Sequence, residues 1–147
     1  MSKITNELTP ADIYPGAAAC IKSGAEQNAA ALFAVAGAFA YFDQLRVTDS
    51  TARQAGMAIE MKVFGDLTSD QKRAFKMVLF ATLDPKSPSF KPVCSAVEQL
   101  GPPRYFPTYM VQHGMSAFLG GSGNGVNPSF DAAKGWRDSL TGFLHCP

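Results

Sequence analysis

The chain has 147 residues, with 13 Lys plus Arg against 12 Asp plus Glu, and 46% of its residues are apolar. That balance excludes disorder over most of the chain, since disorder needs low hydrophobicity together with high net charge. A formal charge of +1 leaves no excess of cations to displace counterions from nucleic-acid phosphates, so a general nucleic-acid binder is excluded too.

The first residues, Met1 to Glu7, are polar and precede no apolar core of a leader, so they do not read as a signal peptide. Residues 1–8 are expected to form a flexible tail. The sequence as written reads as cytoplasmic, with a periplasmic or secreted location as the alternative if a leader has been removed. Thr9-Pro10-Ala11-Asp12 then marks a helix start, because Thr and Asp can satisfy each other's backbone donors and Pro10 lacks an N–H where none is needed. Pro15 and Gly16 interrupt that pattern, which predicts a short or broken first helix ending near Lys22.

Ser23 and Glu26 have the spacing of a second capping box, opening a long helix from about Ala25 to Arg46. Its centre, Ala29 to Phe42, is fourteen residues with no polar group except the Tyr41 hydroxyl. At about 1.5 Å per residue this run spans roughly 21 Å, too short for a hydrocarbon core of about 30 Å. A central helix covered by neighbours on every side accounts for it, and its many alanines allow those neighbours to approach closely.

Thr48, Asp49 and Ser50 offer caps for a helix from about Thr51 to Val63, with Gly65 at its exit. Thr68-Ser69-Asp70-Gln71 is a third capping box. It opens a helix that places Phe75, Val78 and Leu79 on one stripe, with Lys72, Arg73 and Lys76 largely opposite, and ends at Asp84-Pro85. Phe90, Val93, Cys94, Val97 and Leu100 recur at helical spacing, with Ser89 capping so that Pro92 falls in the first turn. A further helix is expected from about Pro107 to Leu119, then a Gly-rich flexible loop over 120–128. The last helix carries Phe130, Ala133, Trp136, Leu140, Phe143 and Leu144.

No segment alternates with period two, and no fixed-period repeat is found. The expected fold is all-α: residues 1–147 as a single compact bundle of about six to seven helices around the central Ala-rich helix.

Cys20, Cys94 and Cys146 form no CxxC or Cys/His pair at metal spacing, so no metal is expected. Three reduced, mostly buried thiols is the favoured reading. The alternative is one disulfide tying Cys146 back to the body of the domain. Cys94 lies on an apolar stripe, where burial disfavours the thiolate a nucleophile requires. Carboxylate pairs, di-iron and zincin ligand sets are missing. Glu60 is read either as one half of a buried ion pair with Arg46 or Arg53, or as exposed. The loop Gly120 to Gly125 lacks the preceding strand and the Lys of a phosphate loop. No catalytic residue, cofactor or metal is assigned.

Two features remain. His113 is expected on a helical face with Tyr109, Met110 and Ala117. Pro102 to Tyr109 packs three aromatics, an Arg and three prolines into eight residues. Such a stretch is either a stiff loop plugging the core or a recognition edge, since Tyr and Arg are enriched among interface anchors and prolines reduce the entropy lost on ordering. The reading that follows is a non-catalytic protein-binding module of inhibitor, immunity or adaptor type. It would contact a protein partner, or a second copy of itself, through Arg104, Tyr105, Tyr109 and His113. The competing reading is a small enzyme or small-ligand-binding protein with an interhelical pocket lined by His113 and Tyr109, with Glu60 as a further polar group.

Overall fold

A computed structural model describes residues 3–121 and 123–147; the expected tail and Gly-rich loop are therefore seen without Met1, Ser2 and Ser122. The domain is all-α, with eight α-helices among the described residues: α1 (Pro10–Lys22), α2 (Glu26–Arg46), α3 (Ala55–Gly65), α4 (Ser69–Leu83), α5 (Phe90–Leu100), α6 (Thr108–Val111), α7 (Met115–Leu119) and α8 (Ala132–Gly142). A 3₁₀ turn over Ser50–Gln54 leads into α3. Among the described residues the only β pairing is an isolated antiparallel bridge between Val47 and Val126.

Helix α2 is the central rod, packing against α1, α4, α5 and α8. Ala34, Ala36, Ala38 and Phe39 are fully buried along it, so neighbours cover it on several sides. That burial explains a sequence without an amphipathic stripe, and no described helix is long and apolar enough to cross a membrane. Trp136 of α8 lies over Phe39 and Phe42 of α2, ring centroids 5.9 and 6.2 Å away. Its Nε1 is buried without a hydrogen-bond partner among the described residues. A second cluster joins α1, α2 and α4 through Ala17, Ile21, Ala29, Leu67 and Phe75.

Local capping signals meet two outcomes. Thr9 with Asp12 and Thr68 with Gln71 form reciprocal capping boxes, as expected. The Ser23–Glu26 box does not form. Helix α1 runs unbroken through Pro15, which brings Ser23 to its exit, where the hydroxyl donates to the Cys20 carbonyl at 2.9 Å. Gly24 turns the chain with φ of 75°, and α2 begins at Glu26 with Ala25 as an N-cap that supplies no side-chain hydrogen bond.

Two further expectations are corrected. The helix expected over 107–119 is two short helices separated at Gln112–Gly114. The thiols are not all reduced: Cys94 on α5 and Cys146 form a disulfide, with Cα atoms 5.7 Å apart, and Cys20 is free. After α8 the chain turns back, the Cys146 N–H donating to the Leu140 carbonyl at 3.0 Å, and His145 adopts φ of 59° to make that turn.

Residues 4–8, expected as tail, make specific contacts. Ile4 and Leu8 pack against the main core, the Asn6 side chain donates to the Pro102 carbonyl at 3.0 Å, and Arg104 N–H donates to the Asn6 carbonyl at 2.8 Å. The far end of the Gly-rich loop is held similarly. Thr48 N–H donates to the Gly125 carbonyl and Asn127 N–H to the Arg46 carbonyl.

Candidate functional site

The segment from Pro102 to Tyr109 lies against the C-terminal end of α2, and the contact centres on Asp43. This carboxylate is fully buried. It accepts hydrogen bonds from Tyr105 Oη at 2.8 Å and Tyr109 Oη at 2.7 Å, and pairs with Arg46 one turn along α2 at 2.7 Å. The guanidinium of Arg46 also donates to the Tyr105 carbonyl at 2.9 Å and lies over the rings of Phe42 and Tyr105. An isolated buried carboxylate would be very costly, and this one is held by two phenols and a guanidinium, all charge-assisted donors.

Burial pushes the Asp43 carboxyl above its ordinary range, and Arg46 and the two phenols pull it back in part. Both phenols are pushed well up, first by burial and then by the neighbouring Asp43 charge. Neither tyrosine is therefore an acid or base near neutral pH. The network is a rivet that fixes a proline-stiffened loop and α6 to the central helix.

Of the residues read as a contact edge, Tyr105 and Tyr109 are half-buried with their hydroxyls turned inward onto Asp43, while Arg104 is exposed. His113 is exposed on the turn between α6 and α7 and not on a shared helical face with Tyr109. The structure thus brings Tyr105 and Tyr109 together and leaves His113 apart from them. Glu60 makes no ion pair with Arg46, whose guanidinium is committed to Asp43. It lies half-buried beside Tyr14 instead. No group of three or more His, Cys, Asp or Glu among the described residues is placed to hold a metal ion.

Two features escaped the sequence reading. Asp43 itself stood at the end of an apolar run, and its signal was the Asp43-x-x-Arg46 pair facing two tyrosines four positions apart. The second is α7, where Met115, Phe118 and Leu119 at i, i+3 and i+4 share one face. All three point outward, 55%, 83% and 77% exposed. Their helix is hung on the 3₁₀ turn: Met115 N–H donates to Thr51 Oγ1 and Ser116 N–H to Asp49 Oδ2, both at 2.8 Å. Gly114 permits that approach, because a Cβ there would stand 2.3 Å from Asp49 Oδ2 and 2.9 Å from Ala52 Cβ.

Comparison with protein-family models, curated proteins and solved structures finds no match for this chain.

Proposed function

We propose that the chain is a non-catalytic protein-binding module that meets its partner through the outer face of α7, with Arg104, Phe106 and His113, exposed elsewhere in the 102–119 stretch, as further candidate contacts. The observation that carries this reading is the α7 face, three large apolar side chains displayed at adjacent positions on a tethered helix. Burying a Phe, Leu or Met side chain is worth about 1.5–3 kcal/mol each, so three together supply the centre of a contact. Two of the four residues first read from the sequence, Tyr105 and Tyr109, support the edge from beneath by fixing its loop.

The test uses the purified chain as immobilised bait in an extract of its native cells, beside Phe118→Ser/Leu119→Ser and Arg137→Ala variants, with sedimentation of the bait alone. The reading expects a partner retained by wild type and Arg137→Ala and lost by the α7 variant, or a concentration-dependent dimer lost in the same way. Retention that ignores Phe118 and Leu119 refutes the α7 assignment.

The Cys94–Cys146 disulfide supports an oxidising compartment as the working environment, since such bonds persist there and are rare in reducing cytosol. Mass measurement after alkylation of protein taken directly from its cells tests this. Alkylation of Cys20 alone is expected, and alkylation of all three cysteines refutes it.

A further inference from the structure

On the side of α2 facing α1 and α3 lies an open slot of about 270 Å³, lined among others by Tyr14, Phe33, Tyr41, Gln44, Met57 and Glu60. Its volume falls just below the range of about 300–1,000 Å³ typical of drug-sized sites, so it suits a small occupant. The slot exists because its floor is made of small residues: Gly56 and Ala40 allow α3 to approach α2, a Cβ on Gly56 standing 2.9 Å from that of Ala40.

The chemistry of the lining is unusual for an incidental surface cleft. Tyr14, Tyr41, Gln44 and Glu60 make no side-chain hydrogen bond to any described residue, although Tyr14 is only 2% exposed. Tyr14 lines the slot, and its hydroxyl is not among the fully sealed, unpartnered side-chain atoms of the described residues. Among the described residues of the lining, Glu60 is the only charged one. No Lys, Arg or His stands three or four positions from it along α3, and no ion pair to a described residue engages it. Burial raises its carboxyl above the ordinary range, a penalty that an incoming positive charge would offset. The Tyr14 phenol is raised by burial and further by the nearby Glu60 charge, and both residues line the slot.

We propose that this slot binds a small organic ammonium ion, the carboxylate of Glu60 meeting the charge and the rings of Tyr14, Phe33 and Tyr41 walling it. Aromatic side chains beside one carboxylate favour alkylammonium over both neutral and anionic groups, since aromatic rings attract cations and the carboxylate completes the neutralisation. The Met57 thioether, at the slot's outer rim, supplies a soft apolar wall. The site is independent of the α7 face and stands or falls separately from it.

The test is an NMR titration of the Met57 methyl and of the Tyr14 and Tyr41 ring signals in the full chain. The probes are choline, tetramethylammonium and n-butylammonium, with 3,3-dimethylbutan-1-ol as the uncharged isostere of choline. Saturable shifts confined to slot residues are expected for at least one cation, with the neutral isostere about tenfold weaker, a difference of roughly 1.4 kcal/mol. Glu60→Gln, with its amide signals otherwise unchanged, is expected to weaken the same cation about tenfold. Binding of the isostere as tight as that of choline overturns the proposal on the unaltered protein, whatever the variant does. So does the absence of saturable shifts with all three cations, or full affinity in a folded Glu60→Gln variant.

Discussion

Tyr109 and Asp43 are 66 positions apart in the chain, and the phenol of one donates to the carboxylate of the other at 2.7 Å. With Tyr105 and Arg46 on the same carboxylate, this contact ties the Pro102–Tyr109 loop to the central helix. Removing a partner leaves a buried charge uncompensated. Asp43→Ala strands the Arg46 guanidinium and is expected to lower stability by about 3–5 kcal/mol. Tyr105→Phe and Tyr109→Phe should each cost about 1–3 kcal/mol, because the carboxylate keeps its other donors. Urea unfolding of the singles and of the double tyrosine variant checks this. The double should lose more than the sum of the singles, since the last phenol removed is the one the carboxylate needs most.

The disulfide closes a loop with a sequence separation of 52 residues. By loop-closure entropy it stabilises the fold by about 4 kcal/mol. Cys94→Ala/Cys146→Ala is expected to lower the urea midpoint accordingly, with little change in far-ultraviolet circular dichroism, because α5 and α8 each keep their apolar faces. Equal midpoints for oxidised and reduced wild-type protein would show that the bond adds nothing.

The elements that could be read from sequence are those whose determinants are local. Thr9 with Asp12 and Thr68 with Gln71 close their boxes within four residues, and the apolar stripe of α5 needs only its own period. The failures share a different cause. Ser23 and Glu26 have the right spacing, but α1 continues through Pro15 and claims Ser23 as its exit. The helix expected over 107–119 is interrupted where Asp49 and Thr51, more than sixty positions away, take the amides of Met115 and Ser116. Such tertiary competition for backbone donors leaves no periodic trace. The same applies to Asp43, where two tyrosines distant in sequence join Arg46 on the buried carboxylate.

Gly37 marks the tightest approach of the C-terminal segment to α2. A Cβ built there would stand 2.2 and 2.4 Å from ring carbons of Phe143. Gly37→Ala gains helix propensity but forces the ring to move, and overpacking of this kind costs about 1–3 kcal/mol. A second change, Phe143→Leu, should recover part of the loss by withdrawing the ring. Thermal unfolding of both variants decides the point: a Gly37→Ala protein as stable as wild type would mean that Phe143 has free room to rotate away.

The attachment of α7 gives a pH dependence with a definite sign. Asp49 accepts from the Thr51 hydroxyl and from the Ser116 amide, and these bonds lower its carboxyl from 3.8 to about 2. A carboxyl held below its unfolded value supplies its stabilisation above that unfolded value, and the stabilisation is lost as pH falls through the folded one. The link between the 3₁₀ turn and α7 should therefore be intact at neutral pH, weaken below about pH 4 and be gone near pH 2. Amide exchange at Met115 and Ser116, followed by NMR, is expected to accelerate over that window before the core amides of α2 respond. Asp49→Asn should show the faster exchange already at neutral pH and no further step on acidification. Simultaneous loosening of α7 and α2 in wild type would assign the transition to global unfolding and not to this carboxylate.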